Sequence, residues 1–115
     1  MKIAVIMMLA GLAVAWVAPA VAGTNHFAYN DTAVTSFSGV YFAPAGTTLW
    51  GPNQALNDDD KELDFGERLT LTGLDSGPYD VKLIDKKGRT CIMHKVDLTK
   101  AASFDIRDAD LTRCQ

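Results

Sequence analysis

The sequence predicts an all-β fold: a small antiparallel β-sandwich, immunoglobulin-like, of about six strands with one disulfide. Three observations predict it. Apolar residues recur with a period of two, not 3.6, along most of residues 25–107. Clusters of Gly, Pro, Asn and Asp divide these runs at near-regular spacing, and no long amphipathic helical pattern intervenes. Two cysteines, Cys91 and Cys114, sit in a chain that opens with an export signal.

That signal is read over residues 1–22. Lys2 supplies a positive start, an uncharged apolar run follows to Val17, Pro19 breaks it, and Ala20-Val21-Ala22 offers small residues for cleavage before Gly23. A membrane anchor would need an uninterrupted span of about 20 apolar residues. The run is shorter and ends in a cleavage site, so no anchor is expected after processing. Gly23 stands where a lipoprotein would carry Cys. The expected product is a single β-sandwich domain, residues 23–115, periplasmic or secreted.

Export turns the cysteine pair into a disulfide, because exported small domains oxidise paired thiols. The pair lacks the C-x-x-C spacing of redox-active thiols. Closing such a loop stabilises the fold by about 3 kcal/mol. Without Lys2 the domain has 10 Lys and Arg against 14 Asp and Glu. That acidic balance argues against a nucleic-acid or anionic-membrane binder, both of which need a basic surface.

The expected strands run in order. Residues 25–30 place Phe27 and Tyr29 on one side. Asn30-Asp31-Thr32 makes a turn, its N-x-T match being read as turn chemistry. Residues 37–43 are aromatic and β-branched. Pro44, Gly46, Gly51 and Pro52 then make an irregular stretch anchored in the core by Leu49 and Trp50. From Leu63 a strand alternates Leu63, Phe65, Leu69 and Leu71 with Asp64, Arg68, Thr70 and Thr72. Tyr79, Val81 and Leu83 form another, and Asp85-Lys86-Lys87-Gly88 closes a hairpin with Gly88 in a left-handed conformation. Ile92, His94, Val96 and Leu98 share one parity, which puts His94 on an apolar face. Phe104 and Ile106 point inward from the last strand. Short helical turns are expected near residues 53–56 or 109–112.

The run Leu63-Asp64-Phe65-Gly66-Glu67-Arg68-Leu69-Thr70-Leu71, followed by Gly77-Pro78-Tyr79-Asp80-Val81-Lys82-Leu83-Ile84-Asp85-Lys86-Lys87-Gly88, resembles the hairpin of immunoglobulin-like and transthyretin-like extracellular domains. Val40-Tyr41-Phe42-Ala43-Pro44 through Trp50-Gly51-Pro52-Asn53, with Cys91 and Cys114, is similar to small secreted bacterial β-sandwich proteins of unassigned function. The resemblance implies export and a sandwich, and it carries no catalytic residues.

The sharpest chemical feature is acidic. Asn57, Asp58, Asp59, Asp60, Glu62 and Asp64 put six oxygen-bearing side chains into eight positions. Hard cations such as Ca²⁺ take about six to eight oxygen ligands, and a flexible acidic loop supplies them. Lanthanides share that preference. Asp58, Asp60, Glu62 and Asp64 alternate like the opening of an EF-hand loop. Leu63 and Leu69, however, replace its Gly and its bidentate Glu. A solvated acidic loop is the plain alternative. Asp105, Asp108 and Asp110 form a second acidic group able to complete a site. Neither His26 nor His94 belongs to a catalytic motif, and no G-x-S-x-G, H-E-x-x-H or phosphate-cradling loop occurs in the domain. The expectation is a non-enzymatic binding protein that holds Ca²⁺ or a lanthanide as carrier or sensor. The alternative is a protein-interaction module or homodimer that docks through a strand edge or through Trp50 with Tyr41.

Overall fold

Strands form where alternation is densest: β1 (His26–Asn30), β2 (Phe37–Pro44), β3 (Arg68–Leu71), β4 (Pro78–Asp85), β5 (Thr90–Asp97) and β6 (Ser103–Ile106). The computed structural model describes residues 25–115, and the export signal expected over residues 1–22 lies outside them. Among the described residues no helix is long and apolar enough to cross a membrane. Short 3-10 turns occupy Gln54–Asn57 and Asp108–Leu111.

The strands make two three-stranded sheets, ordered β3-β1-β6 and β2-β4-β5. Three pairings are antiparallel, but β1 and β6 run parallel, which corrects the wholly antiparallel expectation. A parallel pair needs a long crossover. Here every residue from β2 to β5 supplies it, so strands at opposite ends of the sequence become neighbours. Both sheets feed one core, with Ala28, Leu69, Leu71 and Ile106 from the first and Phe37, Val40, Phe42, Val81, Leu83, Cys91 and Val96 from the second. Phe104 stacks edge-on against Phe42. The disulfide joins Cys91 to Cys114, and Gln115 exchanges two backbone hydrogen bonds with Thr90, extending the sheet beside β5.

Several local expectations change. In β1 the inward parity belongs to His26, Ala28 and Asn30, while Phe27 lies half-buried under the Arg68 guanidinium. Leu63-Asp64-Phe65 does not extend β3. Leu63 pairs with Phe37 as an isolated bridge, and the chain then turns at Gly66, whose φ of 83° only glycine adopts cheaply. Leu49 is 73% exposed and Trp50 half-buried, so neither anchors the core. In β5 the register shifts opposite Asp80, with Lys95 at φ 58°. One extra residue there inverts the phase of the strand. Cys91 and Met93 therefore face inward before the bulge, Val96 and Leu98 after it, and His94 and Ile92 face solvent.

The irregular stretch between β2 and β3 closes one side of the sandwich. Along β2, Asn53 accepts the Val40 N–H and donates to the Ser38 carbonyl, and the Gly51 N–H donates to the Phe42 carbonyl. Along β3, Gln54 donates to the Thr72 carbonyl and accepts its N–H, while Asn57 donates to the Thr70 carbonyl. Side chains thus take the hydrogen-bonding places of a further strand on each sheet.

Candidate metal centre

Two turns build the acidic end. The first spans Asp58 to Lys61, where the Lys61 N–H donates to the Asp58 carbonyl at 3.0 Å and the Asp60 N–H to Asp58 Oδ2 at 2.9 Å. Lys61 takes a left-handed φ of 63° to close it. The second spans Asp64 to Glu67, where the Glu67 N–H donates to the Asp64 carbonyl at 3.1 Å with Gly66 at the position that needs positive φ. A tight turn sets its first and fourth residues side by side, and Glu67 Oε1 also accepts the Asp64 N–H at 3.1 Å.

Asn30 holds this second turn to the body. Its backbone donates to the Glu67 carbonyl and accepts the Gly66 N–H. Its fully buried side chain donates to the carbonyls of Thr35 and Leu63 and accepts from the backbone and hydroxyl of Thr32. Every bond the amide can make to a neighbour through its two donors is formed, and its oxygen takes two more. The match to a glycosylation signal is therefore spent on a buried turn.

Together the turns bring Asp60, Asp64 and Glu67 into one group whose ligand oxygens all lie within 4.8 Å of one another, Asp60 exposed and the other two half-buried. Each carboxylate pair at that distance repels by about 1 kcal/mol in water. A cation placed between them removes that repulsion and gains from all three charges.

The structure does not gather the six sequence-predicted residues at one point. Asp60 and Asp64 belong to the group. Asn57 is committed to Gln54 at 2.8 Å and to the β3 edge at 2.9 Å. Glu62 pairs with the Lys86 ammonium at 3.2 Å. Asp58 caps the first turn, and Asp59 is exposed beside it. Asp105, Asp108 and Asp110 do not join the group. Asp108 accepts the Ala33 N–H, and Asp110 the Arg107 N–H. Glu67 escaped the sequence reading because it falls outside the dense acidic run. Its signal was the spacing Asp64-x-Gly66-Glu67, a turn that apposes its ends.

Two other polar arrangements stand on the β2-β4-β5 sheet. Asp80, 5% exposed on β4, accepts the N–H of Lys95 and of Gly46, both at 3.1 Å, and lies 3.3 Å from His94 Nδ1. The Lys95 bond outweighs the opposing effect of burial and, with Gly46 and His94, holds the carboxyl below its usual range. On the same face the Lys82 ammonium sits 4.8 Å from the Tyr41 ring and 5.0 Å from the Trp50 ring.

Neither protein-family models, nor curated proteins, nor solved structures returned a match to the chain.

Proposed function

We propose that the protein is an exported, non-enzymatic binding domain, periplasmic or secreted, that captures Ca²⁺ or a lanthanide at Asp60, Asp64 and Glu67. The convergence of these three carboxylates to within 4.8 Å carries the reading. Oxygen-only ligands suit hard cations, and a rigid turn apposing two of them lowers the ordering cost of binding. Three carboxylates leave part of a coordination sphere of about six to eight for water. A trivalent ion balances the three charges, which favours a lanthanide over Ca²⁺. The disulfide supports an oxidising compartment. The β4–β5 hairpin with Gly88 at φ 84° supports kinship with immunoglobulin-like sandwiches.

Calorimetric titration of residues 23–115 with Ca²⁺, Tb³⁺, Zn²⁺ and Cu²⁺ tests it. We expect micromolar or tighter binding of Tb³⁺, weaker binding of Ca²⁺, and loss of both in Asp64→Asn/Glu67→Gln. Binding no tighter than millimolar for all four ions overturns it.

A second reading, an interaction surface, rests on the Tyr41–Lys82–Trp50 face, beside which Ile92 is 40% exposed. Sedimentation of the mature domain with and without Trp50→Ala tests the homodimer form. A monomer at all concentrations sinks that form.

A further inference from the structure

We propose that a cleft between the β1–β2 connection and the β4–β5 hairpin binds an oxyanion, a phosphate or sulfate group, independently of the cation reading. The cleft holds about 160 Å³ and is lined by Val34, Thr35, Ser36, Asp85, Lys86, Lys87 and Arg89. The Lys86 N–H donates to the Ser36 carbonyl at 3.2 Å and ties its two walls together.

Three cationic residues, Lys86, Lys87 and Arg89, contribute to the lining of this small space in a chain that is acidic overall. Their fixed partners leave donors over. Asp85 is buried, and its carboxylate accepts the N–H groups of Lys87 and Arg89 at 2.9 Å and the Arg89 Nε at 2.7 Å. That contact orients the guanidinium by one edge. Its two terminal nitrogens, like the Lys87 ammonium and the Ser36 hydroxyl, have no hydrogen-bond partner among the described residues. Lys86 is balanced by Glu62. With Asp85 and Glu62 counted, the three cations leave one net positive charge at the cleft.

A guanidinium already held in place loses little freedom on binding, and its planar fork matches the oxygen spacing of phosphate and sulfate. Lys87 adds a mobile point charge and Ser36 a hydroxyl donor. The volume suits the anionic group itself, with the remainder of a larger ligand running out over Val34, which is 77% exposed.

The test is an amide-resolved NMR titration of the oxidised mature domain with inorganic phosphate and sulfate at constant ionic strength, beside co-sedimentation with phosphatidic acid vesicles. Saturable shifts confined to Ser36 and residues 86–89, with affinity falling about fivefold in Lys87→Ala and further in Lys87→Ala/Ser36→Ala, support a site for free oxyanions. Binding to phosphatidic acid vesicles alone, with the same loss in the variants, supports it with a lipid headgroup as the source. No response to either ligand, or a response that both variants retain, overturns it. Both substituted side chains lie outside the core, and an unchanged urea midpoint confirms that the variants fold. The carboxylates of Asp64 and Glu67 take no part, so Asp64→Asn/Glu67→Gln retains full phosphate binding whatever its effect on cations.

Discussion

Asp80 on β4 accepts the backbone N–H of Lys95 on β5 at 3.1 Å, so a buried carboxylate supplies the hydrogen bond that the bulge takes from the ladder. The same carboxylate reaches Gly46 and His94. One side chain thereby fixes the place where β5 reverses its inward parity.

The bulge carries a cost that can be removed. Lys95 and Lys61 both hold left-handed φ angles, 58° and 63°. A side chain in that conformation costs about 1–2 kcal/mol relative to glycine. Lys95→Gly, and separately Lys61→Gly, should raise the urea midpoint at constant m-value. Lys95→Val should lower it. Equal midpoints for Gly and Val at position 95 would contradict this account.

Acid should unfold the domain through two carboxylates. Asp85 is held below its usual range because, against the burial that opposes its charge, the N–H and guanidinium of Arg89 and the N–H of Lys87 prevail. Asp80 is lowered by the contacts named above. A depressed folded pKa contributes stability that is complete above the ordinary carboxylate value of about 4 and is lost as pH falls through the folded value. Thermal midpoints should therefore hold from neutrality to about pH 5 and drop steeply below about pH 4. Asp80→Asn/Asp85→Asn should lower stability at pH 7 and flatten that acid limb. An acid limb of unchanged slope in the double variant would place the titrating groups elsewhere.

Asn30 should link stability to the acidic end. Asn30→Ala removes the hydrogen bonds that its buried amide makes to the Thr35 and Leu63 carbonyls and to Thr32, and so loosens the backbone on which the second turn is held, at a cost of about 1–3 kcal/mol. Where the variant still folds, Tb³⁺ affinity should fall together with stability, although no carboxylate has been touched. Stability loss without loss of affinity would show the turn to be held by other contacts.

Cys91→Ser/Cys114→Ser should cost about 3 kcal/mol. It should also unpin Gln115 from Thr90, which is bonded at 2.7 and 2.8 Å. Hydrogen exchange reads this directly, with the Thr90 amide protected in the oxidised domain and open in the variant. Protection retained in the variant would show the pairing to be independent of the bridge.

How far these features were legible depends on the range of the interactions behind them. The β4–β5 hairpin was readable because Gly88 and the alternation of Tyr79, Val81 and Leu83 act locally. The disulfide needed only a count of cysteines. The solvent-facing His94 was not readable, since a lysine in left-handed conformation leaves no glycine to mark the bulge. The parallel β1–β6 pair joins strands that share no local signal. At the acidic end the run of carboxylates was visible. What divided it was not, because Asn57 is claimed by Thr70 and Glu62 by Lys86, partners 13 and 24 positions away.

The side chains of Asn53, Gln54 and Asn57 finish two sheets that would otherwise end in open backbone. A neighbouring molecule then finds few free amides or carbonyls along β2 and β3 to zip onto, and runaway fibril growth from that flank is suppressed. Replacing Asn53 and Gln54 by alanine would reopen it. The domain could keep its core and still lose its solubility on storage, a failure of assembly and not of folding.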